Sequence, residues 1–167
     1  LCRALLWTVS TWLPAGLKIG ENDSSLPLAI IISHLHLDHY GLLPFVNPNI
    51  PVYIGAASKR ILNAAAKFMP AGRQFSIGGI SYNLENEMPF TLGPFTITPY
   101  LVDHSAYDAY ALLIEADGEK LLYTGDIRMH GKKGILTERL SENLAGDVDV
   151  LLMEGTNLFP SSESHQA

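Results

Sequence analysis

Apolar positions along this chain follow three different rhythms. In "PLAIIISH" (27–34) they run on without a break and are rich in β-branched residues, which predicts a strand buried on both faces. "PVYIG" (51–55) predicts a second short buried strand. In "ASKRILNAAAKFM" (57–69) the apolar residues Ile61, Leu62, Ala65 and Phe68 fall at helical spacing, and the helix must stop before Pro70. From 75 to 125 the rhythm changes to alternation. "FTLGPFTITPYLV" reads as two strands joined at Gly93-Pro94, and "AYALLIEADGEKLLYTGD" as a hairpin around Asp117-Gly118. "GILTERLSENLA" then predicts a short helix and "DVDVLLMEG" a last strand. "TVSTW" (8–12) predicts a first strand, and the polar tail "PSSESHQA" is expected to fray. Strands and helices mix without strict alternation, which predicts an α+β mixed sheet or sandwich with helices outside, over one domain spanning 1–167.

Composition narrows the class. A hydrophobic fraction of 47% with 17% charged residues belongs to a globular chain, and 167 residues bury a real core. The net charge of −6 excludes a global basic field of the kind that gathers nucleic acid. It does not exclude an enzyme, because bound dications offset acidic ligands locally. A single cysteine, Cys2, excludes an internal disulfide and a thiolate-rich zinc site, and fits a reducing cytoplasm. No apolar run reaches the roughly 20 residues that span a bilayer. The chain does not begin with Met, which suggests a piece of a longer protein.

The sharpest signal is chemical. "SHLHLDHY" (33–40) puts three of the six histidines, His34, His36 and His39, beside Asp38 at the end of the most apolar run. Folding alone has no use for this crowding, since buried imidazoles cost desolvation and carry no strand propensity. His34 and His36 lie two apart at a strand exit, so an extended backbone points both to one side. Zinc, with nitrogen ligands about 2.0–2.1 Å away, needs that convergence. Asp38 stands where a helix N-cap would, ahead of "HYGLLPFV". His104 ends another apolar strand and Asp126 a third, so donors from separate strand ends can meet along one sheet edge.

Together "SHLHLDHYGLLP", "VDHSAYDAYALLI", "YTGDIRMHG" and "LLMEGTN" resemble the metallo-β-lactamase superfamily, and most of all its RNA-processing β-CASP branch, which includes ribonuclease J. The resemblance runs from about residue 26 to 158 and implies an αββα sandwich, incomplete at the C-terminus. It also implies two zinc ions, with manganese or iron as alternatives. His34, His36 and His104 would hold one ion. Asp38, His39 and a bridging Asp126 would hold the other, and Asp38 and Asp126 would serve catalysis. The implied activity is a metal-dependent hydrolase in which a metal-bound hydroxide attacks a phosphodiester, RNA above all.

Departures from the family pattern keep alternatives open. Pro14, Ala15 and Gly16 in "LPAGL" occupy the place of an Asp-x-Gly turn. A final histidine ligand and the β-CASP insertion would lie beyond this sequence, and His165 on the polar tail is a poor substitute. The alternatives are a truncated or vestigial domain that binds metal weakly, a small-ester or lactam hydrolase, and a homodimer in which a second copy completes the site. Softer candidates are His130 and Arg128 for substrate, and Lys132, Lys133 and Arg139 as phosphate contacts or a solvated loop. Ser105 and Asp108 could orient His104 or cap a turn. Glu154 and Thr156 end the last strand. Tyr40, Tyr107 and Tyr110 could stack bases or pack, and Gly41 and Gly125 suit tight turns.

Overall fold

A computed structural model describes residues 29–69, 77 and 80–155. The first strand expected at 8–12, the 14–16 turn, Thr156 and His165 lie outside the described residues. In chain order the elements are β1 (Ile30–Ile32), α1 (Leu37–Tyr40), a 3-10 turn (Leu43–Phe45), β2 (Val52–Gly55), α2 (Ala56–Ala66) and β3 (Ser81–Leu84). They continue with β4 (Phe90–Leu92), β5 (Phe95–Leu101), β6 (Tyr110–Ala116), β7 (Glu119–Tyr123), α3 (Gly134–Leu144) and β8 (Val150–Leu152). Every strand and helix foreseen within the described region is present. The β6–β7 turn places Asp117 and Gly118 at φ 54° and 85°, as a two-residue hairpin loop requires.

Two sheets form. β1, β2 and β3 are parallel, and β4-β5-β6-β7-β8 is antiparallel except for the parallel β7–β8 pair. Strand alternation sends side chains to three separate cores, and these define the layers. Ile32 and Ile54 face α2, where Leu62 meets them. The intervening Ile31 and Tyr53 point the other way, into a core with Leu84, Ile97, Tyr110 and Leu112 between the two sheets. On the far side Val102, Ala111 and Leu122 pack against Leu140 of α3. The order is helix, sheet, sheet, helix, the αββα sandwich that the sequence resemblance implied.

The two sheets are stitched together at one end. Past β1 the Ser33 carbonyl accepts the Tyr110 N–H that opens β6, at 3.0 Å. Gly125, just past β7, adopts φ 57°, and a Cβ there would crowd Tyr110 O and Ser33. The ends of β1, β6 and β7 therefore meet in one place, and the exits of β1 and β7 carry His34 and Asp126. Gly41, by contrast, is ordinary right-handed backbone at φ −61° and closes α1. Among the described residues no helix is long and apolar enough to cross a membrane.

Candidate metal centre

His34 follows β1 and is buried, with its Nδ1 3.2 Å from the Ser33 hydroxyl. That contact turns its Nε2 toward the sheet edge. Burial, helped by the charges of His39, His104 and His36, lowers its pKa from 6.5 to about 3, so the imidazole is neutral and keeps a free lone pair. His36 is extended (φ −97°, ψ 145°) and takes the N-cap position of α1. Asp38, expected to be that cap, instead lies in the first turn, where a carboxylate favours the helix dipole. The extended backbone from 34 to 36 brings both rings to one side.

His104 arrives from the end of β5. Its pKa is lowered by burial and by His36, partly opposed by Asp126 and Glu154. Its Nε2 lies 3.0 Å from His36 Nδ1, which is itself 3.2 Å from His34 Nε2. Asp126 Oδ2 lies 3.6 Å from His34 Nε2 and 3.8 Å from His104 Nε2. The four donor atoms fall within 4.8 Å of one another. A tetrahedral ion with bonds of about 2.0–2.1 Å spaces its ligands roughly 3.3–3.4 Å apart, so the donor set fits such an ion. Without an ion the His36 Nδ1–H would have to be shared between two lone pairs, whereas a cation satisfies all three nitrogens together.

The other oxygen of Asp126 turns elsewhere. Oδ1 lies 3.4 Å from His39 Nε2, and that nitrogen is 3.7 Å from Asp38 Oδ2. Asp126 thus divides its carboxylate between a tight group of three histidines and a looser, more exposed pair. All six residues expected to act as ligands occupy one sheet edge. Arg128 and His130 do not join them: Arg128 pairs with Asp103 and His130 is exposed.

Five residues support the site, and two of them, Ser33 and Asp103, were not singled out in the sequence. Ser105 contacts His36 Nε2 at 3.3 Å, so it orients His36 and not the adjacent His104. Ser33 does the same for His34. Asp103 is fully buried beside His104 and binds the loop after Asp126 through the Gly131 N–H (2.6 Å) and the Arg128 Nε (3.3 Å). Burial works against its charge, but those donors outweigh it and hold its carboxyl below the usual range. Asp108 reaches back about 50 residues to accept the Ala57 and Ser58 N–H groups at the start of α2, at 2.9 and 3.0 Å. Glu154 receives the Ile127 N–H at 2.8 Å and so steadies the chain next to Asp126. Beside Asp126 a cavity of about 370 Å³ is floored by Leu151, Leu152, Met153 and Glu154.

Comparison with known proteins agrees with this geometry. Residues 20–166 match the family model for a beta-lactamase superfamily domain. Ribonuclease J from Mycobacterium tuberculosis is 30% identical over 136 residues, covering 77% of this chain and 23% of that protein. A crystal structure of a protein of unknown function from Enterococcus faecalis superposes with a TM-score of 0.77 at 27% identity, over 92% of this chain and 40% of that one. A metallo-beta-lactamase from Cronobacter sakazakii superposes with a TM-score of 0.55 at 20% identity, over 77% of this chain and 59% of that one, a likeness of fold. The chain spans about a quarter of the ribonuclease J it matches.

Proposed function

We propose that this chain, which belongs to the metallo-β-lactamase superfamily, carries a two-metal centre that hydrolyses nucleic-acid phosphodiesters, RNA in particular. The observation that carries the reading is the divided carboxylate of Asp126, one oxygen toward His34 and His104 and the other toward His39. His34, His36 and His104 would hold one cation, Asp38 and His39 the second, and Asp126 both. Zinc suits the donor set, and manganese or iron are alternatives. Bound there, the cations would supply Lewis acidity toward phosphoryl oxygens and make a water nucleophilic near neutral pH.

The chain's own residues do the rest. Neutral His34 offers a lone pair without first losing a proton. Ser33 and Ser105 fix the rotation of two rings. Asp38, 62% exposed, faces solvent beside His39. The ribonuclease relatives favour RNA over a lactam or small ester. The test is turnover of bis-p-nitrophenyl phosphate, against nitrocefin and a thioester, by zinc- and manganese-loaded protein. Phosphodiester cleavage that Asp126→Asn abolishes supports the reading; cleavage of nitrocefin alone, or unchanged turnover in the variant, refutes it.

One observation favours a second reading, in which another polypeptide completes the more exposed half of the centre. Val150, Leu151 and Leu152 of β8 and Met153 just after it are all about half exposed, and the last three line the cavity beside Asp126. A second copy of this chain would then give a dimer that dissociates when metal is removed, which size-exclusion chromatography with and without chelator would show.

A further inference from the structure

The three tyrosines near the site have different fates. Tyr110 is buried and its hydroxyl donates to the Leu84 carbonyl at 3.2 Å. Tyr40 packs on the core beneath β1. Tyr107 is 67% exposed. It sits three residues after His104 on a turn that is otherwise anchored: Ala106 and Ala109 on either side are buried. Ser58 donates its hydroxyl to the Tyr107 carbonyl at 3.3 Å, and Asp108 is fastened to the start of α2. The backbone is held, yet the ring stands in solvent, where folding gains nothing from it. The ammonium of Lys133 lies 5.8 Å from its ring centroid, within cation–π range. Lys133 closes the loop that begins at Asp126 and that Asp103 clamps at Gly131, and it follows Lys132 directly, on a chain of net charge −6.

We propose that Tyr107 and Lys133 form a nucleotide subsite beside the metal centre, the ring stacking on a base of single-stranded RNA and the ammonium contacting an adjoining phosphate. The two loops that supply the subsite start at His104 and Asp126, so a strand held there is placed next to the centre. Base stacking on an exposed aromatic tolerates any sequence, since every base has a π face. The assignment deepens the phosphodiester reading and rests on it for the class of substrate.

The test measures binding of a fluorescein-labelled oligouridylate to the chelator-treated full chain by anisotropy, so that metal chemistry does not enter the readout. Tyr107→Ala should weaken binding roughly tenfold, and Tyr107→Trp should restore it. An abasic ribose-phosphate oligomer should not distinguish wild type from Tyr107→Ala. Lys133→Gln should lower the slope of log K against log salt by about 0.7. Equal affinity of wild type and Tyr107→Ala, equal losses on the abasic oligomer, or no binding of the oligouridylate by wild type would each overturn the subsite. Failure of the two-metal reading alone would leave the Tyr107 dependence in place.

Discussion

Replacing Asp108 with alanine isolates the support that ties the His104 turn to α2. The wild-type carboxylate accepts two N–H groups, from Ala57 and Ser58, that the helix leaves without partners of its own. Loss of a capping side chain costs about 1–2 kcal/mol, and loss of its charge at the helix N-terminus about 0.3–1 kcal/mol more. Asp108 also adopts φ 62°, where the crowding of Cβ is common to aspartate and alanine and cancels from the difference. The sum is about 1–3 kcal/mol, which for a chain of this length lowers Tm by roughly 2–12 °C. Urea denaturation followed by circular dichroism should show a lower midpoint with an unchanged slope. Asp108→Asn keeps an acceptor and tolerates the left-handed backbone, so about half the loss should remain. An alanine variant within about 0.5 kcal/mol of wild type, well inside the surface-substitution range, would refute the capping argument.

Three further outcomes follow from the same geometry. Gly55→Ala would drive a Cβ into the Asp108 carboxylate and the Tyr110 ring, so it should destabilise the chain, and less than additively when combined with Asp108→Ala. Acid should destabilise the metal-free protein: with its folded pKa near 3, His34 stays neutral while the unfolded chain takes up a proton below pH 6.5. Stability is therefore complete above 6.5 and falls toward pH 3 by at most about 1.4 kcal/mol per pH unit, a dependence that His34→Gln should flatten in a pH series of urea melts. Asp103→Asn weakens the clamp on Gly131 and Arg128, so the Gly131 amide should exchange faster with deuterium, and metal affinity should fall about 10–100-fold as for other outer-shell partners.

Much of the molecule is legible in its sequence because the signals are local. Uninterrupted Ile30–Ile32, the Gly93-Pro94 break, the Asp117-Gly118 turn and the helical spacing at 57–69 each mark an element that forms. The candidate site is legible because His34, His36, His39, His104 and Asp126 sit at or just past the ends of apolar runs, and the family resemblance groups them. What escapes is mostly long-range. The N-cap preference points to Asp38, but the extended backbone that brings His34 and His36 together puts His36 at the cap. Asp108 caps a helix about 50 residues earlier, which no spacing rule reaches. Ser33 is hidden inside an apolar run, where a small hydroxyl reads as filler. Asp103 reads only as the neighbour of His104, while its burial and its bonds to Gly131 and Arg128 show that it holds the loop after Asp126.

The central claim is that Asp126 joins two metal sites, and metal stoichiometry tests it most directly. Protein prepared without chelator, loaded with excess zinc and desalted would be measured by elemental analysis beside Asp126→Asn. The account predicts close to two ions per wild-type chain and loss of both together in the variant. A variant that keeps one ion as tightly as wild type, or a wild-type chain that holds none, would contradict it.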